Sequence, residues 1–134
     1  MIFKIKLIID DESNKIQNKI TKSLFTKSLF NKMKKDFISV VVPYHKKKIY
    51  FQDTINSIIK QTYTNFELIV IYDDRDKSEL KYVKDVLNNV KRKNIKLIVN
   101  KKNIGAGLSR NKAIKSARGN YIAFCDADDK WKIN

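Results

Sequence analysis

The segment Phe66-Glu-Leu-Ile-Val-Ile-Tyr72 runs directly into Asp73 and Asp74. It is rich in β-branched and aromatic residues and has the length of a buried strand. Two carboxylates then end the apolar run. Downstream, Leu80, Val83, Leu87 and Val90 recur at spacings of 3, 4 and 3, the signature of one apolar helix face. Ser78 is the predicted N-cap of that helix, with Glu79 in its first turn. Ile95 to Val99 reads as the next strand. Strand, helix and strand in succession describe a βαβ unit, and βαβ units build parallel sheets.

The same alternation extends in both directions. Upstream, Phe37-Ile-Ser-Val-Val-Val42 is an apolar strand that Pro43 is expected to end, and Phe51, Ile55, Ile58 and Ile59 follow at helical spacing. Downstream, Leu108, Ile114 and Ala117 mark a third helix, with Gly119 placed as its C-cap glycine. Tyr121-Ile-Ala-Phe-Cys125 is a fourth strand. Strands that are apolar throughout belong to a sheet covered on both faces. The expected fold is therefore α/β with a mainly parallel sheet. In such sheets ligands bind beyond the carboxyl ends of the strands.

Composition agrees with one domain, or most of one, in 134 residues. Hydrophobic residues at 43% exclude wholesale disorder, and three glycines with one proline exclude collagen-like and linker-rich designs. The single cysteine, Cys125, excludes an internal disulfide framework, points to a reducing compartment, and reads as a core residue of the fourth strand. No apolar run reaches the roughly 20 residues needed to span a bilayer. The opening stretch Met1 to Ile9 is broken by Lys4 and Lys6 and does not read as a signal peptide.

Lys and Arg number 29 against 14 acids, for a net charge of +15. Residues 1–36 contribute nine lysines against four acids (+5), and residues 37–134 contribute 20 basic residues against ten acids (+10). The excess is thus spread along the chain rather than held in a tail. Lys46-Lys47-Lys48 and Lys91-Arg92-Lys93 are the tight clusters. Two accounts of this charge stand at this point: a solvated surface, or a positive field for phosphate-bearing ligands or an anionic membrane face. A non-enzymatic basic module for nucleic acid or an anionic surface is the rival reading. No nucleic-acid motif supports it, and the basic clusters are not interleaved with aromatics.

Residues 1–36 form a separate basic extension, expected to be helical. Ile16/Ile20/Leu24 and Phe25/Leu29/Met33 are i, i+4 ladders on roughly opposite sides of one helix. A membrane-surface element and a packed extension are both compatible with it. Leu7-Ile-Ile-Asp-Asp-Glu12 superficially resembles the acidic start of a receiver domain, but the stronger strand series begins only at Phe37.

The strand ends carry the chemistry. Pro43, Tyr44, His45 and Lys46 follow the first strand, and Asp73, Asp74, Arg75 and Asp76 follow the second. Asn103-Ile-Gly-Ala-Gly107 and then Arg110 follow the third, and Asp126-Ala-Asp-Asp129 with Trp131 follows the fourth. Carboxylates that gather against their own repulsion serve a divalent cation or a hydrogen-bonded ligand. Asp126 and Asp128, alternate residues of an extended segment, suit Mg²⁺ or Mn²⁺; a solvated acidic turn has the same pattern. Asp73-Asp74 reads equally as a turn that caps the next element. The glycine turn is a weak phosphate signal on its own, Arg110 is either a phosphate ligand or a surface residue, and His45 is either structural or functional.

Taken together, residues 37–134 resemble the N-terminal, nucleotide-sugar-binding half of family 2 glycosyltransferases of the GT-A fold. The resemblance rests on Ile38-Ser-Val-Val-Val-Pro43, Ser57-Ile-Ile-Lys-Gln-Thr-Tyr63, Asn65-Phe-Glu-Leu-Ile-Val-Ile-Tyr-Asp-Asp74, Asn103-Ile-Gly105, Ser109-Arg-Asn111, and Gly119-Asn-Tyr-Ile-Ala-Phe-Cys-Asp-Ala-Asp-Asp129 with Trp131. It implies a Rossmann-like three-layer sandwich that stops shortly after the Asp-x-Asp motif. Pro43, Tyr44 and His45 would match the loop that holds nucleobase and ribose. Asp73 and Asp74 would match the Asp-Asp pair, with Asp74 on the base. Arg110 would line the donor site. Asp126 and Asp128 would match the Asp-x-Asp motif that binds ribose and the divalent cation, Mn²⁺ or Mg²⁺, on the donor diphosphate.

The implied activity is inverting transfer of a sugar from a nucleotide-diphosphate donor, a UDP-sugar first, to a glycan, lipid-linked or polysaccharide acceptor. The implied setting is the cytoplasm or the inner membrane face by peripheral contact, with no specific nucleic acid. Two stretches depart from the family pattern: Tyr44-His45-Lys46 replaces the usual Thr-Tyr-Asn, and Arg75-Asp76 replaces Gly-Ser after the Asp-Asp pair. Both bear on base identity. The family's catalytic base is expected beyond residue 134, so the chain as given is expected to turn over weakly or not at all.

Overall fold

The computed structural model describes residues 36–133. The expected extension helix and the receiver-like segment lie outside them. The described chain alternates strand and helix throughout: β1 (Ile38–Tyr44), α1 (Lys48–Ile59), β2 (Phe66–Tyr72), α2 (Lys77–Asn88), β3 (Ile95–Val99), α3 (Ala106–Ser116) and β4 (Tyr121–Phe124). The four strands lie in the order β3-β2-β1-β4, and every neighbouring pair is parallel. β1 pairs with β2 from Ile38↔Phe66 to Tyr44↔Tyr72, and with β4 from Ile38↔Tyr121 to Val41↔Phe124. The chain steps outward from β1 to β3 and then returns to place β4 on the other side of β1. That reversal opens a crevice at the carboxyl ends of β1 and β4.

The alternation of side chains along the central strands divides the core in two. On one face, Val40, Val42, Tyr44, Leu68, Val70 and Tyr72 pack against Phe51, Ile55 and Ile58 of α1 and Val83 and Leu87 of α2. On the other, Val41, Ile69, Ile71 and Ile122 pack against Ala113 of α3, with Ile114 and Ala117 at the margin. All seven residues of β2 are buried, as its unbroken apolar run requires. The expected α/β sandwich with a parallel sheet is the observed fold. No helix among the described residues is long and apolar enough to cross a membrane.

Four local expectations are corrected. Pro43 does not end β1, which runs on to Tyr44. Ile38 N–H bonds toward β2, to Asn65 O, so by alternation the nitrogen of Pro43 points toward β4, and β4 pairs no further than Val41. The missing donor therefore falls past the end of that pairing. The N-cap of α2 is Asp76 rather than Ser78: its carboxylate accepts from Ser78 N at 2.7 Å and Glu79 N at 3.1 Å, and Ser78 donates its hydroxyl to the same oxygen. Leu108 is 61% exposed, because α3 meets the sheet through the small residues Ser109 and Ala113.

Gly119 is not a helix C-cap. α3 ends at Ser116, and Ala117 is already extended at φ −73° and ψ 140°. Gly119 instead lies where a Cβ would sit 2.5 Å from Ser39 N and 2.7 Å from Ser39 Oγ. Its N–H donates to Ser39 Oγ at 2.9 Å, and Ser39 donates to Glu67 Oε1 at 2.6 Å. Glu67 is buried and also accepts from Arg118 N at 2.6 Å and Arg118 Nε at 2.9 Å. Burial raises its carboxyl pKa, but the Ser39 and Arg118 hydrogen bonds outweigh it and hold the pKa below the usual value. Gly119→Ala forces backbone and Ser39 apart at this knot. It is expected to cost about 1–3 kcal/mol, read as a lower urea midpoint with an unchanged slope.

Candidate functional site

The crevice predicted by the strand order contains a cleft of about 410 Å³. One wall of it is the turn after β4. Asp129 N–H closes that turn on Asp126 O at 3.0 Å. Ala127 points into the core at 2% exposure, while Asp126 and Asp128 on either side border the cleft. The turn is held by α1 rather than by its own strand. Thr54 Oγ1, buried, donates to Ala127 O at 3.0 Å, Trp131 N–H donates to Ser57 Oγ at 3.1 Å, and Gln61 Nε2 donates to Lys132 O at 3.0 Å. Thr54 and Ser57 lie on one side of α1, Gln61 lies just past its end, and together they fasten the segment as it leaves the sheet. Just before the turn, Cys125 is buried with its thiol near the carbonyls of Asp126 (3.7 Å) and Asp129 (4.0 Å). Burial, with the neighbouring carboxylates, pushes that thiol up to about 12.

Two carboxylates of the turn, Asp126 and Asp128, each face a cation from an opposite wall. Arg110 of α3 reaches Asp126 Oδ1 at 2.5 Å, with its guanidinium 6.0 Å from the Phe124 ring centroid. Lys47, the N-cap residue of α1, reaches Asp128 Oδ2 at 2.7 Å. The Lys47 hydrogen bond holds the Asp128 carboxyl below its usual pKa, and Asp128 raises that of Lys47 in return. Among the described residues, no three His, Cys, Asp or Glu side chains gather into a preformed cation cage. Two hard carboxylates at the mouth of a cleft fit Mg²⁺ or Mn²⁺ of the kind whose shell is completed by water and phosphate oxygens.

The opposite wall depends on Asp73. Its carboxylate is buried and accepts from Ile104 N (2.8 Å), Gly105 N (2.8 Å) and Asn100 Nδ2 (2.9 Å). Burial pushes its pKa up, but the Ile104, Asn100 and Gly105 donors win and hold it below the usual value. Asn100 is itself fixed, donating to Ser109 Oγ at 3.0 Å and accepting from Lys112 Nζ at 2.8 Å. The result is a set position for Gly105, at φ +87°, and for the start of α3, which has no side-chain cap and opens on the cleft.

The other expected residues are distributed as follows. Pro43 and His45 border the cleft. Asp74 Oδ1 accepts from Arg75 N at 2.6 Å; its Oδ2 is buried, makes no aligned hydrogen bond, and lies 3.2 Å from His45 Nδ1. Asn103 Nδ2 approaches the same imidazole nitrogen at 3.0 Å. The Tyr44 ring, however, is turned into the core, stacked on Tyr72 at 5.6 Å and edge-on to Phe51 at 4.9 Å. Its hydroxyl donates to Glu79 at 2.9 Å, so a ligand in the cleft meets only the backbone of this residue. Sequence reasoning missed Lys47, Thr54 and Asn100. Only Lys47 carried a signal, its place just after a strand end.

Comparisons with known proteins converge. The family model for glycosyl transferase family 2 matches residues 39–134. WfgD of Escherichia coli, a UDP-Glc:alpha-D-GlcNAc-diphosphoundecaprenol beta-1,3-glucosyltransferase, is 37% identical over 97 residues, 72% of this chain and 37% of its own length. TuaG of Bacillus subtilis (strain 168), named for teichuronic acid biosynthesis, is 33% identical over 100 residues, 73% of this chain and 38% of its own. Among solved structures, S. aureus TarS 1-349 in complex with UDP superposes with a TM-score of 0.61 at 32% identity, covering 69% of this chain and 28% of that one. A Pyrobaculum calidifontis mannosyltransferase in complex with GDP-Man and Mn²⁺ shares the fold, with a TM-score of 0.65 at 20% identity, covering 70% of this chain and 28% of that one. The chain thus spans little more than a third of the length of these curated relatives.

The Asp73 knot has a measurable signature. Its carboxylate releases its proton more readily folded than unfolded. Its contribution to stability is therefore complete above about pH 4 and is lost as pH falls through the lower folded value. Asp73→Asn is expected to remove that acid-side dependence from stability measured by urea melts across pH 2–5. Asp73→Ala, which leaves Ile104 N–H without its acceptor and Gly105 N–H with Asn103 Oδ1 at 3.1 Å, is expected to cost about 1–3 kcal/mol at pH 7.

Proposed function

The chain belongs to glycosyl transferase family 2, and from that premise we propose that residues 37–134 bind a nucleotide-diphosphate-sugar with a divalent cation. We infer that they serve inverting transfer of the sugar to a glycan, lipid-linked or polysaccharide acceptor. The observation that carries the reading is the convergence of Asp126 and Asp128, the uncapped start of α3, and His45 with Asp74 around one end of the sheet. A donor needs a base pocket, anion ligands and a cation site in that order along its length. Pro43 and His45 would flank the base, and Asp74, whose Oδ2 lies 3.2 Å from His45 Nδ1, would contact it beside that imidazole. Asp126 would hold the ribose and share the cation with Asp128. Arg110 and the first N–H groups of α3 would face the diphosphate.

In the transfer itself, the acceptor oxygen forms a bond to the anomeric carbon as the bond to the diphosphate breaks, a single displacement that inverts configuration. A divalent cation, when bound, offsets the charge that develops on the departing nucleoside diphosphate. The residues described here hold the donor and stabilise the leaving group; deprotonation of the acceptor is not assigned to any of them. A UDP-sugar is the donor we favour, supported by the UDP-bound TarS structure at 32% identity. We place the protein in the cytoplasm, with peripheral contact at the inner membrane face; the basic surface supports this through attraction to anionic lipid.

Thermal shift titrations with UDP-, GDP- and dTDP-sugars, each with and without Mn²⁺, test the reading. One nucleotide is expected to stabilise the chain in a Mn²⁺-dependent manner, by about 2.7 kcal/mol at a hundredfold excess over Kd. Asp128→Asn is expected to abolish the Mn²⁺ dependence while keeping the unliganded melting temperature within a few degrees. Salt-sensitive oligonucleotide binding with no nucleotide effect would replace this reading with a nucleic-acid module.

A further inference from the structure

Lys47 lines the cleft, and its backbone is held at the start of α1. Its carbonyl accepts from Tyr50 N at 3.1 Å and Phe51 N at 3.0 Å, opening α1. Lys46 before it takes a left-handed conformation at φ 50°, which turns the chain from β1 into the helix. The backbone of Lys47 is therefore fixed while its four-carbon stem remains free to swing. From that anchor its ammonium lies 2.7 Å from Asp128 Oδ2.

An ammonium at that distance fills the place a divalent cation would take on the same carboxylate. Ammonium and dication cannot lie a few ångströms apart on one oxygen pair without strong repulsion. A cation that enters alone must therefore displace Lys47 into solvent. A cation that enters with a diphosphate brings Lys47 a new anionic partner in the same cleft, since Lys47 lines it together with Arg110 and Gly105. The displaced ammonium then moves from one anion to another instead of losing its partner.

We propose that Lys47 is an internal counter-ion that occupies Asp128 in the empty cleft and passes to the donor diphosphate on binding, so that cation and nucleotide are taken up together and each binds poorly alone. This rests on the donor reading above. It makes Lys47 a positioning residue that couples two ligands, and coupling of this kind is reciprocal between them. A purely structural ion pair, tying α1 to the Asp126 turn, would change stability without changing the coupling.

The test measures Mn²⁺ affinity by electron paramagnetic resonance, with and without UDP, on the 134-residue chain and its variants. The ratio of the two affinities is the coupling. Lys47→Met is expected to bind Mn²⁺ alone on the order of threefold tighter, as removal of one exposed ion-pair partner allows, and to bind UDP more weakly in the presence of Mn²⁺. Its coupling should therefore shrink. Lys47→Gln, read the same way, guards against a folding defect peculiar to methionine, and Lys47→Arg is expected to keep the coupling. Lys130→Met removes one positive charge from an exposed pair with Asp53 (2.6 Å) and is expected to leave the coupling unchanged. Unchanged coupling in Lys47→Met, or an equal change in Lys130→Met, overturns the inference while leaving the donor reading intact. If UDP, GDP and dTDP all fail to bind the unaltered chain in the presence of Mn²⁺, the donor reading falls and this inference falls with it.

Discussion

A carboxylate buried at the end of a strand must find donors, and the donors that Asp73 finds determine where the rest of the cleft stands. Asp73 directly follows β2, Asn100 directly follows β3, and Ile104 and Gly105 lead into α3; one side chain joins all three. Without these bonds, the loop between β3 and α3 would have no reason to keep Gly105 in its left-handed conformation or to aim the helix start at the crevice. The other wall has a parallel arrangement in neutral groups. Thr54 and Ser57 of α1, with Gln61 just after it, hold the turn after β4 and the chain beyond it through backbone groups. The cleft is thus built by two sets of polar bonds, one on each side of a parallel sheet whose geometry brings all four carboxyl ends to one edge.

Between these walls the electrostatics are local rather than global. The net charge of +15 invites a reading in terms of polyanions. The cleft, however, balances its charges one by one: Arg110 against Asp126, Lys47 against Asp128. Much of the remaining basic excess lies on exposed residues such as Lys91 and Lys93, away from this edge. The few acids, placed at strand ends, specify the site more closely than the many lysines do.

The fold was legible because strands covered on both faces are unbroken apolar runs, and β2 has the limits that its run predicts. The site was legible in outline because acidic residues directly after such runs fall at one edge of a parallel sheet. What could not be read was anything decided by contact between distant segments. Thr54 and Ala127 are 73 residues apart, and nothing local marks Thr54 as a tether. Tyr44 stands in the expected loop, but β1 continues through it and strand alternation turns its ring to the core. α3 was misread at Leu108 because a helix that packs closely through serine and alanine offers little apolar periodicity. Asp76 and Ser78 are both good caps, and only the point where the chain becomes helical chooses between them.

Cys125 lies directly beneath the turn that carries Asp126 and Asp128, with its sulfur enclosed and protonated at neutral pH. The thiolate is the form that attacks peroxide, so this position is shielded from oxidants for as long as the turn stays closed. If the shield failed, a sulfinate in that space would need room and solvation that the packing does not offer, and the turn above would be pushed outward. Damage at one sulfur atom would then distort the cleft without altering any residue that borders it.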